Sequence, residues 1–61
     1  MTKEELEKEA IKEYVKNWKK VCKSYSLPNT TPDNLIALTW QSLDEENKEE
    51  FRDIVRRRLN D

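Results

Sequence analysis

Two clusters of cations carry the clearest chemical potential in this chain. Lys16, Lys19, Lys20 and Lys23 lie close together, and Arg56, Arg57 and Arg58 run consecutively near the far end. Grouped cations attract phosphate, nucleic acid or an acidic protein surface. Other chemistry is poorly supplied. There is no histidine and a single cysteine, Cys22, so neither an intrachain disulfide nor a Cys/His zinc set can be assembled, and no imidazole is at hand to activate a serine or thiol. Cys22 reads as a small buried hydrophobe. The absence of glycine excludes Gly-rich phosphate loops, and it leaves the acidic run Asp44-Glu45-Glu46 without the central turn of a calcium loop. The expectation is a protein that is not an enzyme, with no catalytic, cofactor-binding or metal-binding residues.

The lysines must be positioned by the element that carries them. Ile11, Tyr14, Val15, Trp18, Val21, Cys22 and Tyr25 recur three, four or one apart, the pattern of an amphipathic helix, and the lysines fill its other side. Thr2-Lys3-Glu4-Glu5 fits a capping box, with Thr2 as cap and Glu5 reaching back from the third helical position. Acids lead and lysines trail along this helix, the order its dipole favours. It is expected over 3–25, stopped by Pro28, which disfavours a helical Leu27. Asn29-Thr30-Thr31 matches a glycosylation sequon, read as chance in the absence of a secretory signal. Thr31 is expected to cap a second helix over 32–41 with Pro32 in its first position. Ser42 or Asp44 caps a third over 44–59, whose apolar stripe is Phe51, Ile54, Val55 and Leu59 and which closes on the arginines.

Three capped segments joined by short connections predict one all-α domain, 1–61: a small three-helix bundle with a long first helix. At 61 residues the chain is close to the smallest that one core can hold together. Trp18, flanked by Tyr14, Val21, Cys22 and Tyr25, is expected where helices 2 and 3 dock, at a cost of about 3 to 5 kcal/mol on truncation to Ala. Helix 2 is apolar most of the way round and is expected to be wedged between its neighbours. Two directions are open for helix 3. Parallel to helix 1, it would merge the lysine and arginine clusters into one positive pole. Running back along helix 1, it would oppose complementary charge gradients.

The net charge is −1 with 41% of residues charged, which gives no overall attraction to nucleic acid or to anionic membrane. Met1 to Glu13 is too charged for a signal peptide, and no apolar run approaches the roughly 20 residues that span a bilayer. A soluble cytoplasmic protein without membrane contact is expected. Leu38, off the main face of helix 2, and Tyr25, at the end of the aromatic row, are the candidate contacts for a protein partner. The alternative is a nucleic-acid-binding module using Lys16, Lys19, Lys20, Lys23, Arg56, Arg57 and Arg58. The acids that open helix 3 and the lack of a glycine turn weigh against it. A monomer is favoured, with a helix 1 dimer as the variant, since its stripe keeps a heptad for about two repeats.

Caps, dipole order and strong helix formers on the outer faces all agree. In style only, this resembles a de novo designed helical mini-protein. Cys22 and the irregular segment SLPNTTPDN depart from that style. No natural family's motif is matched. The function expected is therefore either a designed scaffold or a protein-protein interaction module.

Overall fold

The computed structural model describes residues 2–28 and 30–60, so the sequon's Asn29 lies outside the described residues. Three α-helices form the fold: α1 (Lys3–Ser24), α2 (Asp33–Thr39) and α3 (Glu45–Asn60), with a 3-10 turn at Trp40–Ser42 prolonging α2. Among the described residues there is no strand. It is a small all-α three-helix bundle.

Local chemistry sets each boundary. Thr2 is extended, and its hydroxyl oxygen accepts from the Glu5 N–H at 3.2 Å while its O–H donates to the Glu5 carboxylate at 3.1 Å. Glu5 thus closes the box on the cap's hydroxyl, where the capping-box pattern would have it reach the backbone N–H. Such a cap is worth about 1 kcal/mol. At its other end α1 stops earlier than Pro28 requires, because Ser26 turns left-handed at φ 55°. The Ser26 N–H donates to the Lys23 carbonyl at 3.2 Å and the Leu27 N–H to the Cys22 carbonyl at 2.8 Å. This pair of bonds is a Schellman motif.

One expected cap differs from that observed, and at α3 one of the two expected alternatives is the cap. Pro32, extended at ψ 149°, precedes α2 as its cap residue, and its carbonyl accepts from the Leu35 and Ile36 N–H groups at 3.0 and 3.1 Å. Thr31, the expected cap, therefore lies one residue outside the position, because Pro32 turns the chain before the helix begins. At α3 the Lys48 N–H donates to the Asp44 carbonyl at 3.0 Å, which assigns the cap position to Asp44 and leaves Ser42 in the 3-10 turn.

Both later helices rest on α1. The core is Ala10, Tyr14, Ile36, Trp40 and Val55, with Ala10 and Ile36 fully shielded from solvent. Tyr14 is its hub. Its ring meets Trp18, Trp40 and Phe51 edge to face at centroid distances of 6.2, 5.7 and 5.5 Å, the arrangement aromatic quadrupoles favour. Its hydroxyl donates to Thr39 Oγ1 at 2.5 Å, and the Thr39 hydroxyl in turn donates to the Ile36 carbonyl at 2.6 Å. The phenol is thereby buried with its polar tip satisfied.

α3 lies steeply across α1. Glu7 meets Arg52 and Tyr14 meets Phe51 on the first half of α3, while Glu13 meets Arg58 and Leu6 borders a depression with Leu59 on the second half. Three corners of the crossing are in contact and the fourth borders a shared depression, whereas aligned helices would match only two. At 1.5 Å per residue α1 is about 33 Å long and α3 about 24 Å, which fits overall dimensions of 34 × 24 × 19 Å. Neither of the two directions open from sequence describes this crossing.

The crossing centres on Ala10, fully buried between the α3 contacts at Glu7 and Tyr14, where a small side chain lets two helices approach closely. That is about two turns before Trp18. Docking is therefore centred on Tyr14 and Ala10, and the expected centre at Trp18 moves to the margin. Trp18 is only half-buried, and Val21 and Tyr25 stay exposed. Ile54 and Leu59 of the α3 stripe are exposed for the same reason. Nor is α2 wedged between its neighbours, since Leu35 and Leu38 face solvent. Among the described residues no helix is long and apolar enough to cross a membrane.

Candidate interaction surface

One polar cluster spans the crossing. The Arg52 side chain, 15% exposed, donates from Nε and Nη2 to both oxygens of Glu7 at 2.8 and 3.0 Å, and from Nη1 to Glu45 at 2.6 Å and Glu49 at 3.1 Å. Trp40 Nε1 donates to the same Glu7 at 3.0 Å. The Arg52 hydrogen bonds hold the Glu7 carboxyl below its ordinary value of 4.5 against the opposing effect of burial, with help from Trp40. Hydrogen bonds from Arg56 first, then Arg52, do the same for Glu49. The three carboxylates raise the Arg52 pKa, so its charge is fixed. This bidentate, shared arrangement ties α1, α3 and the 3-10 turn together. Its polar groups are committed within the chain, which makes it a clamp on the fold.

The fold divides the cations that the sequence groups. Lys19 pairs with Asp33 at 2.7 Å, Arg56 with Asp53 at 2.6 Å and with Glu49, and Arg58 with Glu13. Consecutive helical residues point about 100° apart, so the three arginines splay around α3. Arg58 joins Lys16 and Lys20 around one depression, while Arg56 borders another beside Thr2 and Leu6 at the start of α1. A single positive pole does not form. Among the described residues Lys16, Lys20, Lys23 and Arg57 make no ion pair.

The part of α1 beyond the crossing has a different character. Tyr14, Asn17, Trp18, Val21, Cys22 and Leu27 line a shallow, mainly apolar depression. Val21 is 41%, Leu27 54% and Tyr25 73% exposed. Tyr25 follows Val21 by four residues and Trp18 by seven, so it extends the same row. Leu27 reaches the depression because the Schellman motif folds the chain back after Ser26, which is where a hydrophobic contact with the helix's last turn is usual. Of the two partner contacts named from sequence, Tyr25 does not line the depression and continues the row only by its spacing. Leu38, 59% exposed on α2, does not border it.

Sequence reasoning missed Leu27 as a surface residue and Glu7 with Arg52 as a clamp. A signal for Leu27 existed, an apolar residue five after Cys22 with proline following. Without glycine at the left-handed position it went unread. Among the described residues no group of three or more Cys, Asp or Glu could hold a metal ion. No family model, curated protein or solved structure matches the chain.

Proposed function

We propose that the chain is a non-catalytic helical module that binds another protein through the apolar row of α1 beyond the crossing. The observation that carries this reading is the exposure of Val21 and Leu27 around one depression, with exposed Tyr25 one turn beyond Val21, while the shielded core among the described residues is limited to Ala10, Tyr14, Ile36, Trp40 and Val55. Isolated exposed apolar residues are ordinary, but a contiguous set containing aromatics is the usual makeup of a docking surface. The splitting of the cations between separate depressions, with Lys19, Arg56 and Arg58 paired with acids, supports protein binding over the nucleic-acid reading.

A second reading, a designed scaffold whose property is its fold alone, is favoured by the agreement between caps and charge order in α1 and α3. One experiment separates the two. Tagged wild-type chain and the double variant Val21→Glu/Leu27→Glu are expressed in the same cells, and co-purifying proteins are quantified. A protein held by the wild type and lost from a variant that keeps its helical circular dichroism supports the interaction module. No difference between the two sets sinks it in favour of the scaffold.

A further inference from the structure

We propose that the occupant of this surface is an acidic amphipathic helix of a partner protein. The proposal rests on the docking role given above and adds its chemistry. From Tyr14 to Pro32 the sequence has no acidic residue, and its only charges are Lys16, Lys19, Lys20 and Lys23. Lys19 is neutralised by Asp33. Lys16, Lys20 and Lys23 make no ion pair among the described residues, and Glu13, the acid that shares a depression with Lys16 and Lys20, is taken by Arg58.

The lysine charge adjoins the apolar row. Asn17 borders both the depression of Trp18, Val21 and Leu27 and the neighbouring one of Lys16, Lys20 and Arg58. A ligand lying in the first therefore presents one flank to the lysines. The solvent-facing part of the row, from Trp18 to Tyr25, is about 10.5 Å long, the length of two helical turns. A helix with apolar residues at i, i+3 or i+4 and i+7 matches it, and acids along one edge of that helix meet Lys16 and Lys20. Charge at the edge selects the partner and speeds encounter, while the apolar residues hold it.

A second copy of this chain fits less well. A twofold dimer places the same patch on both sides, and here that opposes lysines to lysines with no acid between Tyr14 and Pro32 to offset them.

The test uses the full chain and two stapled helical peptides of about four turns. Both carry the same leucine row, one flanked by glutamates and the other by lysines, and binding is read by fluorescence anisotropy. The glutamate peptide is expected to bind at least about tenfold more tightly at low salt, with the gap closing as screening rises toward 1 M salt. Lys16→Glu/Lys20→Glu, both on exposed sites, should remove the preference, and Val21→Glu or Leu27→Ser should weaken both peptides. Equal binding of the two peptides would overturn the acidic partner and leave the docking surface standing. If neither binds, both readings fall. Binding indifferent to all four substitutions places the peptide elsewhere and overturns the proposal. Light scattering that shows a dimer broken by Val21→Glu would make the occupant a second copy.

Discussion

Replacing Ser26 by glycine should stabilise this protein, although glycine usually does the opposite. Ser26 sits at φ 55°, in the left-handed region where a Cβ crowds the following carbonyl at a cost of roughly 1 to 2 kcal/mol. Glycine removes that cost and gives back about 0.5 to 1 kcal/mol through the greater freedom of the unfolded chain. The net gain should be about 0.5 to 1 kcal/mol. A domain this size has a total stability of roughly 3 to 9 kcal/mol at typical per-residue values, so the change is large enough to measure. It corresponds to a rise in Tm of about 2 to 8 °C, read from thermal melts at 222 nm. Urea titration should show a shifted midpoint with the same slope, since the surface exposed on unfolding does not change. Ser24→Gly is the internal control. Ser24 lies within the last turn of α1, and the same change there should cost about 0.5 to 1 kcal/mol. If Ser26→Gly is neutral or lowers Tm, the left-handed end is not the state in solution, and Leu27 loses the device that places it in the depression.

Truncation should rank the aromatic residues of α1 by their distance from the crossing. Tyr14→Ala removes three edge-on ring contacts and the Thr39 hydrogen bond, about 3 to 5 kcal/mol, a large share of the total stability. Trp18→Ala, half-buried, should cost about 1 to 2.5 kcal/mol and leave a folded chain, and the reverse order in urea titrations would refute a crossing at Ala10. Acid should loosen the clamp. Glu7 and Glu49 are held below 4.5 in the folded state, so the unfolded chain takes up their protons first as pH falls. Their stabilisation is complete above the ordinary carboxylate range and is lost on passing down through and below it. Tm should therefore decline between about pH 6 and pH 3, and Glu7→Gln should flatten the decline. Equal slopes for the two proteins would show that the clamp contributes nothing.

What was legible in the sequence was local. The apolar period of α1, the Thr2 cap and the acid-to-base order of α1 and α3 follow from neighbours within four residues, and all three are observed. The cap of α2 failed because Thr31 and Pro32 offer two valid starts that differ by a single ψ angle. The crossing was not legible, because it depends on which residue of a long helix permits the closest approach. Ala10 lies outside the stripe read from sequence, which begins at Ile11. In space it is the point where α3 can lie deepest. The Glu7–Arg52 pair follows from that placement, being 45 residues apart in sequence. For the surface, Tyr25 was legible from its place in the row, whereas Leu27 needed the conformation of Ser26.

The position of the crossing explains why a surface exists at all. An aligned third helix of about 24 Å would have covered most of the roughly 33 Å of α1 and buried Val21 with Trp18. Laid across α1 at Ala10, α3 packs on α1 as far as Tyr14, borders a depression with Asn17 and Lys20, and fastens through Arg52 and Arg58. The second half keeps its apolar row because α2 is seven residues long and is committed to Tyr14 through Thr39 and Trp40. The same geometry parts the lysines from the acids that open α3, which answer to Arg52 and Arg56. Exposure of the apolar row and the unpaired charge of Lys16 and Lys20 are thus two consequences of one packing choice. A substitution that moved the crossing toward Trp18 should abolish both together.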